Sequence, residues 1–198
     1  MQCGSIIVAC LLPFTWGSPA IAAIIGFEGL SDGVAVANQF PNLQFTNAKV
    51  ATAGISLNEF EFPPHSGVNV VIDASGPITI TFSLPALAFS GFFTYATPLT
   101  LIAFDAGNHQ IGSLASAFSN NEALSGVLGS SPNELLSLAS PGGISKVIIT
   151  GKTNGSSFTV DDVSFTPSTP EPRSAALLIA GLALIALMRT KFRPVPRK

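Results

Sequence analysis

The sequence predicts an all-β protein, a β-sandwich of jelly-roll type, framed by two apolar ends. Three observations predict it. Ile78-Thr79-Ile80-Thr81-Phe82-Ser83-Leu84 alternates four apolar residues with three hydroxyl residues, the pattern of a strand with one dry face. Runs rich in β-branched and aromatic residues recur at short intervals, with Gly and Pro between them. The order shows no βαβ rhythm and no internal repeat.

The first element is an apolar run, residues 5–16, reading SIIVACLLPFTW. Ala20-Ile21-Ala22 after it fits the small-x-small rule of signal peptidase. This predicts export, with residues 1–22 as signal peptide and cleavage after Ala22 or one residue later. No Lys or Arg precedes the run, a departure from the usual pattern. Cys3 and Cys10 are the only cysteines, and both leave with this segment. The mature chain then has no disulfide, no thiol nucleophile and no thiolate metal site.

Residues 23–166 form the body. Pro77 opens the Ile78–Leu84 strand and Pro85 closes it. Further strands are expected at 67–73, 89–95, 99–104, 146–150 and 157–165, with weaker candidates at 24–28, 45–50 and 111–118. Asp105-Ala106-Gly107-Asn108-His109 reads as the turn of a hairpin. Short helices are expected only at 122–128 and 132–138. In the closing strand, Phe158 and Val160 share one parity, Val163 and Phe165 the other. A bulge at Asp161-Asp162 would keep both apolar pairs inside.

Charge narrows the function. The body carries ten acids against three lysines, a net charge of −7, while the last ten residues carry +5 and no acid. No basic stripe crosses the body, which argues against nucleic acid as a partner. Disorder is excluded by 47% hydrophobic and 10% charged residues.

At the other end, residues 167–173 form a linker and residues 174–188 read SAALLIAGLALIALM between Arg173 and Arg189. As a helix this run spans about 22 Å against a hydrocarbon core of roughly 30 Å, and the flanking arginines can snorkel to cover part of the gap. The basic tail, residues 189–198, reads as cytoplasmic, which leaves the body on the far side of the inner membrane. Pro170-Glu171-Pro172 stands just before the helix; its prolines enforce an extended backbone. The other reading of this end is a plain C-terminal membrane anchor.

This order of Pro170-Glu171-Pro172, apolar helix, Arg189 and basic tip resembles the PEP-CTERM sorting signal of Gram-negative bacteria. The resemblance implies recognition and cleavage near the motif by an exosortase. It also implies delivery to the cell surface or to a biofilm matrix of extracellular polysaccharide. The body resembles carbohydrate-binding-module jelly rolls through Phe27-Glu28, Ser66-Gly67, the Ala103–Gly112 segment and the closing Phe158–Phe165. Fold likeness transfers no ligand.

Two sites are candidates in the body. Glu28, Asp161 and Asp162 could hold a structural calcium, since paired carboxylates in a bend need a partner. The resemblance implies such an ion between first and last strands. The other reading has both aspartates facing water or capping a turn. Phe92, Phe93 and Tyr95 form an aromatic cluster that could offer one ring to a glycan. The expected function is non-enzymatic. A calcium-stabilised carbohydrate-binding module is the alternative, and a glycan-active hydrolase a more distant one. No carboxylate pair stands out for glycoside hydrolysis and no Gly-x-Ser-x-Gly elbow exists. His65 and His109, the only histidines, are expected in exposed loops.

Overall fold

The computed structural model describes residues 22–168 and Gly181. Residues 1–21 of the signal peptide, the Pro170-Glu171-Pro172 motif, the apolar helix apart from Gly181, and the basic tail lie outside the described residues.

Ten strands follow in chain order. They are β1 (Ala23–Ile25), β2 (Ala35–Val36), β3 (Leu43–Thr46), β4 (Ala48–Thr52), β5 (Asn69–Asp73), β6 (Ile78–Tyr95), β7 (Thr100–Phe104), β8 (Gln110–Ala115), β9 (Glu134–Thr150) and β10 (Phe158–Pro167). All of their pairings are antiparallel, in the order β2-β4-β5-β10-β6-β9-β7-β8, with β1 on β10 and β3 on β6. Residues 22–168 contain no α-helix.

The long strands β6 and β9 are shared by two layers. Ile78–Thr81 of β6 pairs with Lys146–Ile149 of β9 and with β3. Ala88–Phe93 pairs with Glu134–Ala139 and with β10. Between these halves the register shifts, and the buried parity of β6 passes from Ile78, Ile80 and Phe82 to Phe89, Phe93 and Tyr95. Pro85 sits at this break. The sequence reading took it as a strand end. Instead the strand bends there, because a proline without an N–H is tolerated where the ladder is already interrupted. Opposite it, Gly143 has φ +88°, and a Cβ there would lie 2.7 Å from Pro85 Cβ. Only glycine suits that position.

The bend folds the sheet over the main core, and Ala51, Leu57 and Val70 form a smaller second cluster. Phe82 meets Phe89 at 6.3 Å and Phe165 at 5.6 Å between ring centroids. Phe27, Phe40 and Phe45 form a trio of edge-to-face rings 5.5 to 6.2 Å apart. Seven phenylalanines are buried in the main core among a larger number of Ile, Val and Leu side chains, each fully buried ring contributing roughly 1.5–3 kcal/mol.

Two expected helices are corrected. Residues 132–138 enter β9, with Leu136 buried and Ser137 exposed beside it. Pairing with β6 overrides the helical preference of that short stretch. Residues 122–128 make turns, with Gly126 at φ +68° and Gly129 at φ +79° breaking any helix. The expected 45–50 strand is split into β3 and β4 by Asn47 at φ 59°. The Asp105–His109 turn joins β7 and β8 as the sequence predicts, with the Asp105 N–H donating to the His109 carbonyl at 3.0 Å.

Candidate functional site

The expected bulge in the closing strand is present. The β10–β6 register shifts between Asp161 and Ser164, and Asp162 adopts φ 44°. A short polar side chain tolerates that left-handed backbone better than most. Asp161 is fully buried, at 1% exposure. Its Oδ2 accepts the N–H groups of His65 (2.9 Å) and Ser66 (2.8 Å), and its Oδ1 accepts the Asp162 N–H (2.7 Å). Burial pushes this carboxyl up to about 6, and the three N–H donors oppose that shift.

Asp162 faces outward into a second set of contacts. Its Oδ2 lies 2.7 Å from His65 Nδ1, and its Oδ1 accepts the Ser66 hydroxyl at 2.9 Å. An ionised carboxylate only accepts, so Nδ1 carries the proton. Glu28 holds the other end of the same loop: Oε1 accepts the N–H groups of Val68 (3.0 Å) and Asn69 (2.9 Å). Gly67, at φ +55°, is required there, since a Cβ would come within 2.3 Å of the Glu28 carboxyl carbon.

The three carboxylates singled out from sequence therefore act on one loop, residues 53–68. Among the described residues no group of three His, Cys, Asp or Glu side chains is placed to hold a metal ion. Asp73 does the same work elsewhere. Buried completely, it accepts the Ser157 N–H (2.7 Å), the Ser157 hydroxyl (2.7 Å) and the Phe158 N–H (3.1 Å).

The aromatic cluster divides by parity. Phe93 and Tyr95 point into the core with no exposed surface. The Tyr95 hydroxyl donates to Glu134 and accepts the Phe118 N–H (3.2 Å), while burial and Glu134 push it up to about 12. Neither ring can meet a glycan, which corrects that part of the sequence reading. Phe92 alone faces outward. The imidazole of His65 lies flat on it, with centroids 3.4 Å apart and planes 8° from parallel. His65 was expected to be an exposed turn residue. It does lie in a loop and is exposed, its side chain at 36%, and it is docked there against Phe92 and Asp162. Nothing local in the sequence signals this, because its carboxylate partner lies 97 residues away. His109 does stay in the exposed turn, beside Asp105.

Beyond Phe92 the outer face continues in cross-strand rows. Leu135, Phe92 and Asp161 align across β9, β6 and β10; Ser137, Ser90 and Ser164 form the next row. Ala139, Ala88 and Thr166 form a third. The last two rows line a shallow depression of about 170 Å³. The result is an open strip of small hydroxyl residues with a flat ring at one end.

That arrangement is unsuited to nucleophilic catalysis. Both His65 and Ser66 direct their protons to Asp162, so the serine is not activated by the imidazole.

No family model matches the sequence, and no curated protein matches it. Among solved structures the chain is similar to the K2 cleaved adhesin domain of Lys-gingipain, at 12% identity and a TM-score of 0.48, covering 74% of this chain and 99% of that one. The K1 cleaved adhesin domain of Lys-gingipain from Porphyromonas gingivalis W83 is similar at 11% identity and a TM-score of 0.46, covering 75% and 99%. TmCBM61, solved with β-1,4-galactotriose, is similar at 15% identity and a TM-score of 0.40, covering 72% and 94%.

Proposed function

We propose that this chain is an exported, non-enzymatic surface or extracellular-matrix protein whose body lies against exopolysaccharide. Its C-terminal segment directs sorting, and an exosortase removes the apolar helix near Pro170-Glu171-Pro172. The observation that carries the binding role is the outer strip of β6, β9 and β10. It joins a ring platform, His65 on Phe92, to the serine row Ser137-Ser90-Ser164. Flat rings beside hydroxyl groups suit a sugar, which has an apolar face and a polar edge. The open shape suits holding a chain along its length. The consumption of His65, Ser66 and Asp162 in loop anchoring supports the non-catalytic role.

Affinity electrophoresis through exopolysaccharide from the native host tests the binding role. The full chain should be retarded, and Ser137→Arg, which fills the strip from an exposed position, should migrate as in a polysaccharide-free gel. Equal mobility of both proteins with and without polysaccharide would remove the binding role. Sorting is tested separately, by the mass of the chain from hosts with and without exosortase. Glu171→Ala should retain the C-terminal segment, as the wild type does in a host without the enzyme.

A further inference from the structure

The outer serine row runs beyond β9, β6 and β10 onto a fourth strand. Ile24 of β1 pairs with Ser164, Ser164 with Ser90, and Ser90 with Ser137. At about 4.8 Å between strands the row is roughly 14 Å long. Ile24 is 71% exposed, a large apolar side chain left open at the β1 end. The flanking rows are Leu135, Phe92 and Asp161 on one side and Ala139, Ala88 and Thr166 on the other. Asp161 is the one ionisable residue in the three rows, and it is buried against the loop whose N–H groups it accepts.

The cations of the body lie elsewhere. Residues 22–168 hold three lysines and no arginine. Lys49 is on β4, separated from β10 by β5. Lys146 is in the other half of β9, where its Nζ donates to Asn108 and sits 4.4 Å from the centre of the Phe104 ring. Lys152 is in the turn after β9. His65, the titratable base at the ring end of the strip, is paired with Asp162 at 2.7 Å, so the two together bring no net positive charge. With ten acids against three lysines in residues 23–166, the field over the strip is negative.

We propose that the strip selects an uncharged glycan, held over the serine row, and excludes acidic polysaccharide. This inference rests on the polysaccharide reading above and names the ligand class of that same surface. A neutral sugar presents hydroxyls to Ser90, Ser137 and Ser164, and C–H faces to Ile24 and to the rings of His65 and Phe92. A carboxylated sugar in the same place would lose water without gaining a cation, and an unpaired charge is costly to desolvate. It would also enter a field of its own sign.

Affinity electrophoresis of the full chain tests this, with exopolysaccharide of the native host split by anion exchange into neutral and acidic fractions. The neutral fraction should retard the chain equally at about 0.01 M and about 0.15 M salt, although the screening length falls from about 30 to about 8 Å. The acidic fraction should retard it about ten-fold less. Oxidising the primary hydroxyls of the neutral fraction to carboxylates adds charge to an unchanged backbone, and should weaken its retardation about ten-fold. The proposal is overturned by retardation in the whole polymer that the neutral fraction does not reproduce. Equal retardation by the acidic fraction, with or without added calcium, or indifference to the oxidation, overturns it as well. Failure of the whole polymer to retard the chain removes the binding reading beneath it instead.

Discussion

His65 lies flat on Phe92 and is held there by Asp162, so a ring from the loop before β5 completes the surface of β6. The arrangement converts a half-buried phenylalanine into a support and makes the imidazole the exposed flat face. His65→Ala should remove the stacking and the carboxylate contact together. With the imidazole partly solvated, the expected cost is about 1 kcal/mol. Thermal melting checks this, and polysaccharide retardation of the same variant should weaken several-fold.

Asp161 anchors that loop from beneath. Asp161→Ala leaves the N–H groups of His65 and Ser66 without their acceptor. The expected loss is about 2–4 kcal/mol, read by chemical denaturation. Asp161→Asn keeps an acceptor oxygen and should lose less than half as much.

The same residue confers a pH dependence. An unfolded aspartate titrates near 3.8, whereas burial raises Asp161 to about 6 in the folded chain. Between those values the folded state binds more protons than the unfolded one. The contribution of this site is therefore full below 3.8 and is lost as pH rises through about 6. The wild type should lose stability relative to Asp161→Asn over that interval. Melting curves of both proteins at matched pH check the sign, and parallel curves would refute it.

Gly67→Ala should destabilise the fold by about 1–3 kcal/mol, because the backbone there is left-handed and the new methyl meets the Glu28 carboxylate. Pairing it with Glu28→Ala should not restore stability, since Val68 and Asn69 then lose their acceptor. Denaturation midpoints of the two single variants and the double variant check this.

Chelation should leave the melting temperature unchanged. Three N–H groups donate to the Asp161 carboxylate and two to Glu28 Oε1, so these carboxylates already have partners within the chain. Scanning calorimetry with EDTA and with added calcium decides it, and a calcium-dependent rise would support a calcium site at these carboxylates.

Local pattern made several features legible. The alternation of Ile78–Ser83 placed three side chains in the core, and the parity slip at Asp161-Asp162 located the bulge. The hairpin at Asp105–His109 was readable because its turn chemistry is contained in five residues. Other features were not. Pro85 ends a strand by local rules, yet here it bends one, because Gly143 across the sheet makes room for its ring. Residues 132–138 were ambiguous until β6 supplied a partner ladder.

The sequence by itself determined that the body is all-β and that two adjacent aspartates interrupt the last strand. These properties follow from periodicity and composition, which act over a few residues. Only the tertiary structure decided what those aspartates do, and which ring of Phe92, Phe93 and Tyr95 faces out. Asp161 finds its donors 95 and 96 residues away, and Asp162 finds His65 at 97. Contacts of that range depend on how the sheet folds over itself, and a buried carboxylate is stable only where that folding brings N–H groups to it.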